Sequence, residues 1–123
     1  MGLFSRGSIA FEKIKLSDSK IASDGHATIT LNVKNRDQKF DGLVAVLETD
    51  DLQGQYLKID APSLSLPALD FPNRNTGDHK ITITPYNIPL SEMSFKMRLK
   101  IMTGSTGKPA LEKKFSLTVT KKQ

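Results

Sequence analysis

Phe95-Lys96-Met97-Arg98-Leu99-Lys100-Ile101 alternates apolar and cationic residues without a break. A period of two sends successive side chains to opposite faces of a strand, so this stretch has one apolar face and one basic face. Strand geometry sets Lys96, Arg98 and Lys100 about 6.6–7 Å apart on the basic side. The pattern returns in Phe115-Ser116-Leu117-Thr118-Val119. With its apolar set turned inward, Lys114 falls on the same side as the three cations. The two runs flank Thr103-Gly104-Ser105-Thr106-Gly107, which predicts a β-hairpin that closes a core with one face and shows cations to water with the other.

Working outward, a period near two holds almost everywhere. Ile9-Ala10-Phe11 and Ile14-Lys15-Leu16 alternate in opposite phase, which predicts a bulge near Glu12-Lys13. Residues 27–33 alternate with Thr28, Thr30 and Asn32 on the predicted outer face. Leu43-Val44-Ala45-Val46-Leu47 is continuously apolar and reads as a central strand covered on both sides. Residues 56–59 and 63–66 are weaker runs, and 80–84 completes the set. No window supports an amphipathic helix of about ten residues or more. Asp24-Gly25, Asn35-Arg36-Asp37, Asp41-Gly42, Gln53-Gly54 and residues 73–77 supply turn chemistry between the runs. Five prolines, Pro62, Pro67, Pro72, Pro85 and Pro89, lie in the weak middle or between strong runs, where a missing donor costs little. The expected fold is all-β: a single antiparallel immunoglobulin-like β-sandwich of about seven strands.

At 123 residues the chain fits one domain, large enough to build a core without staples. We expect the sandwich over 9–120, a loose segment over 1–8 and a short tail over 121–123. There is no cysteine, which excludes disulfides and thiolate sites. No apolar run approaches the length of a membrane-spanning helix. The first residues lack a signal-peptide core, and Arg6 stands where a myristoylation motif requires Ser or Thr. The expected location is therefore cytoplasmic, or extracellular if an upstream leader has been trimmed.

Charge is unevenly distributed. Residues 94–123 hold eight of the eighteen Lys and Arg and one acid, Glu112, a balance of +7 against −2 for the remainder. A basic face of this kind attracts an acidic protein, a nucleic acid or an anionic surface. No exposed aromatic is interleaved with the cations, which disfavours base stacking and hence nucleic acid. Lysines on an exposed strand also guard against edge-to-edge aggregation, and that protective role weighs equally with partner binding. The candidate partner-binding residues are Lys96, Arg98, Lys100 and Lys114.

Other motifs carry less. Gly104-Ser105-Thr106-Gly107-Lys108-Pro109 has glycines too close for a phosphate-binding loop, Pro109 in place of Ser or Thr, and a strand rather than a helix after it. His26 and His79, without cysteine, cannot build an ordinary structural zinc site. Glu48, Asp50 and Asp51, with Asp41 nearby, lack the ligand spacing of a calcium loop. We assign no catalytic, cofactor-binding or metal-binding residue and expect no enzyme and no small-molecule substrate. The expected activity is a non-catalytic protein-interaction or structural module, its partner a different protein or a second copy of the chain. The alternative is a protein that associates nonspecifically with nucleic acid through the same basic face.

The segment from Ile21 through Asp24-Gly25-His26 and residues 27–35, leading through Phe40-Asp41-Gly42 into Leu43-Val44-Ala45-Val46, resembles the region joining the second and third strands of prokaryotic immunoglobulin-like modules. Gly77-Asp78-His79-Lys80-Ile81-Thr82-Ile83-Thr84-Pro85 and residues 95–101 are similar to their fifth and sixth strands. The chain departs from antibody-type domains in having neither a cysteine pair nor a tryptophan. The resemblance implies a binding or spacer module without catalysis.

Overall fold

A computed structural model describes residues 9–51, 54–103 and 109–122. Nine strands form among them: β1 (Ile9–Leu16), β2 (Lys20–Ala22), β3 (Ala27–Asn35), β4 (Val44–Thr49), β5 (Leu57–Ile59), β6 (Ser63–Ser65), β7 (His79–Pro85), β8 (Glu92–Met102) and β9 (Pro109–Thr120). They make two facing sheets, β1-β3-β7-β5 and β2-β9-β8-β4-β6. The antiparallel β-sandwich expected from the alternation is present, with nine strands instead of about seven. β5 and β6 lie within the weak runs at 56–59 and 63–66, and the strand that no run marks is β2, whose three residues are too short to show a period.

The alternation specifies the core directly. Ile29, Leu31 and Val33 of β3, Ile81 and Ile83 of β7, Leu99 and Ile101 of β8, and Leu117 and Val119 of β9 are all fully buried between the sheets. The bulge expected near Glu12-Lys13 lies there: the β1–β3 register shifts between Phe11 and Lys13. The first strand region serves both sheets, because β1 pairs antiparallel with β3 while β2 pairs parallel with β9, Lys20 opposite Thr118 and Ala22 opposite Thr120.

Two expectations need correction. Val44 and Val46 are only half-buried, because their face of β4 has no second layer and is flanked only by the serines of the short β6 on one side and by Met102 and Lys100 of β8 on the other. Asn32, read as facing solvent, is buried at 8% exposure, and Asn35 at the end of β3 is buried at 2%. Their amides are satisfied internally. Asn35 Nδ2 donates to the carbonyls of Gln38 and Phe71, both at 2.8 Å, and its Oδ1 accepts from Arg74 N–H at 2.8 Å. Asn32 Nδ2 donates to Asp78 Oδ1 at 3.3 Å, and Asn32 Oδ1 accepts from Thr76 Oγ1 at 3.4 Å. Lys13 Nζ donates to Asp78 Oδ2 at 3.0 Å. That bond, ahead of the Asn32 contact, holds the Asp78 carboxyl below the ordinary aspartate range.

Of the turn signals, Gly42, Gly54 and Gly77 have positive φ. At Gly77, with φ of 80°, the N–H is also bonded to Asn75 Oδ1 at 2.9 Å, a local closure that glycine makes without strain. At the far end of β9, Lys121 N–H donates to Ser91 O and Lys122 N–H to Ser23 Oγ, both at 2.8 Å. Lys122 Nζ also meets Asp24 Oδ2 at 2.9 Å, a contact that lowers the Asp24 carboxyl and raises the Lys122 ammonium. The expected loose segment at 1–8 and most of the phosphate-loop look-alike, 104–108, lie outside the described residues.

Candidate functional site

The basic stripe is built by the longest antiparallel pairing in the molecule, β8 with β9. Phe95, Met97, Leu99 and Ile101 fill the interior, which fixes the opposite phase outward. Arg98 stands directly opposite Lys114, and Lys96 opposite Ser116, so all four predicted cations share the outer face of the five-stranded sheet. On the other side β4 brings Glu48 opposite Arg98 and Val46 opposite Lys100.

Acids divide this face. Arg98 Nε lies 3.2 Å from Glu112 Oε2, and Lys100 Nζ lies 3.0 Å from Glu48 Oε1. Lys100 is the most enclosed of the four, its side chain 21% exposed. Lys96 and Lys114 have no acidic side chain within ion-pair distance among the described residues. The stripe is thus two neutralised positions beside two uncompensated ones. Exposed pairs of this kind contribute about 0–1 kcal/mol each to stability. Their main effect is to cut the local field, and sequence reading missed this because Glu48 comes from a strand far upstream.

Beside Lys96 and Lys114 the surface dips into an open groove of about 1130 Å³, lined by those lysines, Arg98, Met97, Phe115 and the turn after β4. The acidic turn residues have structural roles there. Asp50 N–H donates to Lys96 O at 3.1 Å, and Asp50 Oδ1 accepts from Lys96 N–H at 3.2 Å, which ties the turn to β8. Asp51 gathers three amides: Gln55 N–H to Oδ1 at 3.0 Å, and Tyr56 and Leu57 N–H to Oδ2 at 3.0 and 2.9 Å. Charge-assisted bonds of this kind are the stronger sort. Asp51→Ala should therefore destabilise the fold by about 2–3 kcal/mol in urea unfolding, and Asp51→Asn, which keeps one acceptor oxygen, by about half as much. Equal stability of wild type and Asp51→Ala would show that water replaces the carboxylate without cost.

The histidines are apart from this face in role. His79 Nε2 sits 3.1 Å from Thr76 O, within the turn before β7. No cluster of three or more His, Cys, Asp or Glu is arranged to hold a metal among the described residues. No helix among them is long and apolar enough to cross a membrane.

No protein-family model matches the chain, and no curated protein does. Solved structures do. The chain is similar to the periplasmic chaperone SfaE with 14% identity and a TM-score of 0.54, over 90% of this chain and 58% of the chaperone. The chain therefore spans little more than half of that protein's length. It is also similar to SSP-19, an MSP-domain-like protein of Caenorhabditis elegans, with 10% identity and a TM-score of 0.49, over 82% of this chain and 92% of that one. WR4, an MSP family member of the same organism, follows at 8% identity and a TM-score of 0.45, over 89% and 97%. The strand order and the likeness to the chaperone define the class: this is an immunoglobulin-like antiparallel β-sandwich.

Proposed function

We propose that this chain is a non-catalytic protein-interaction module whose contact surface is the outer face of the β8–β9 hairpin, centred on Lys96, Arg98, Lys100 and Lys114. One observation carries the reading: among the described residues Lys96 and Lys114 have no ion-pair partner, and they stand beside an open groove that mixes apolar side chains such as Leu57, Ile59 and Phe115 with the carboxylates of Glu48, Asp50 and Asp51. Uncompensated charge next to apolar surface suits a partner offering carboxylates around an apolar anchor. The likeness to a chaperone is compatible with such a role, although a shared fold does not fix function. The alternation of Glu48 and Glu112 with the cations interrupts any continuous path for a phosphate backbone, which favours a protein partner over nucleic acid.

The test is a charge reversal. Lys96→Glu/Arg98→Glu/Lys100→Glu, shown to be folded by circular dichroism, should lose the protein partners that wild type retains in cross-linking. A titration of wild type with DNA and RNA across salt accompanies it. An unchanged partner set sinks the proposed face, and tight, steeply salt-dependent DNA or RNA binding replaces the protein reading with the nucleic-acid one.

A further inference from the structure

Among the described residues, the outer edge of β9 is hydrogen-bonded over only part of its length, although β1 passes close to it. β2 pairs only with residues 118–120, and Thr118 N–H donates to Ser19 O at 2.8 Å. Strand alternation carries that orientation back along β9: the N–H and C=O groups of Ser116, Lys114 and Glu112 point the same way, away from β8, where no described strand receives them. At the other end the register skips Ala110, with Ile101 opposite Leu111 and Met102 opposite Pro109, so the regular edge starts at Leu111. The open stretch is therefore 111–116. Its side chains are ordered: Glu112 and Lys114 on the outer face, Leu111 and Phe115 half-buried on the core-facing side with the exposed Lys113 between them.

We propose that this edge pairs antiparallel with the same edge of a second copy of the chain, about a two-fold axis at Lys113. This deepens the reading of the chain as an interaction module and rests on it. The register is chosen by charge. With the axis at Lys113, Glu112 lies opposite Lys114 of the second copy and Lys114 opposite its Glu112, and each of these pairs exchanges two N–H···O=C bonds. On the other face Leu111 lies opposite Phe115 of the second copy, joining two half-buried apolar side chains. An axis at Lys114 or at Glu112 would also set like charges face to face, which is destabilising, and would lose both Glu112–Lys114 pairs. An axis at Phe115 would bring Glu112 against residue 118, already occupied by β2. In the chosen register each Glu112 lies between its own Arg98 and Lys114 of the second copy. The one unfavourable contact is Lys113 against Lys113 on the axis, on a side open to solvent. Lysines normally protect an edge of this kind. Here Glu112 turns one of the two into a specificity element, and a two-fold contact of this isologous kind closes on itself instead of propagating.

Sedimentation equilibrium of wild type and four variants tests the register. Wild type should form dimers with a dissociation constant below about 1 mM. Glu112→Lys and Lys114→Glu alone should each weaken dimerisation by about tenfold or more, since each reversal acts twice across the axis. The double variant should recover wild-type association, and Lys113→Gln should tighten it. As a backbone readout, amide exchange at Glu112 and Lys114 should slow as concentration rises, while Lys113 and Phe115, already bonded to β8, should not change. A monomer at about 1 mM, or a double variant that stays as weak as the single ones, overturns the pairing. Loss of self-pairing with the cross-linked partner set still sensitive to Lys96, Arg98 and Lys100 leaves the interaction face standing and removes only the second copy.

Discussion

Leu99→Ala is expected to destabilise the fold by about 3–4 kcal/mol, lowering Tm by about 10–15 °C. Leu99 is fully buried at the middle of β8, paired with Leu47 on one side and Lys113 on the other. Its removal leaves a cavity that strand backbones, held by ladder bonds on both sides, cannot collapse to fill. Leu99→Met, which nearly conserves volume, should cost less than about 1.5 kcal/mol. Because residue 99 faces inward and its neighbours 98 and 100 outward, Leu99→Ala should leave partner binding intact at temperatures where the variant is folded. Urea unfolding of the two variants measures the difference. A loss below about 1 kcal/mol for Leu99→Ala would show that the sheets approach each other to close the gap.

The second large effect is expected at Asn35, whose substitution by Ala should cost about 3 kcal/mol, comparable to a core truncation despite the residue's polarity. Its amide serves two carbonyls and one N–H from the 36–40 turn and the 70–75 segment, and no buried side-chain polar atom among the described residues lacks a partner. Removing it strands all three backbone groups at once, and the loss of a buried partner is the costly side of hydrogen bonding. Asn35→Asp gives a sharper diagnosis. An ionised carboxylate still accepts from Arg74 N–H but faces the Gln38 and Phe71 carbonyls with no proton to offer, so its pKa rises in the folded state. That variant's deficit is present above the raised pKa and shrinks as pH falls through it, when the protonated acid donates again. A deficit independent of pH would mean that the two carbonyls have turned to water.

Much of this architecture was legible where packing and period coincide. Residues 95–101 and 115–119 announced their hairpin, and the phase slip between Phe11 and Ile14 announced the bulge, because a two-residue period admits one inward set. Legibility ended where the deciding partner is remote. The three-residue strand β2 exists because the longer β9 offers it an edge, whereas β5 and β6 show in the sequence as the weak runs at 56–59 and 63–66. The burial of Asn32 and Asn35 depends on Thr76, Asp78 and the 70–75 segment arriving beside them, and their only local mark was the Asn35-Arg36-Asp37 turn. The same limit applied to the candidate face. Period two placed Lys96, Arg98, Lys100 and Lys114 together, but the register of β4 against β8 decided which of them Glu48 neutralises.

The parallel contact of β2 with β9 also bears on synthesis. It joins positions 20–22 to positions 118–120, nearly the full length of the described chain. Pairings of such separation form slowly, because the closure entropy of the whole intervening chain precedes any gain. On a ribosome adding about 5–20 residues per second, β2 waits on the order of ten seconds before its partner strand has been made. During that interval β1 already has β3, while Lys20–Ala22 has nothing to pair with. The nascent chain thus completes one sheet well before the other can close, and its exposure to misassembly is concentrated in the interval before β9 arrives.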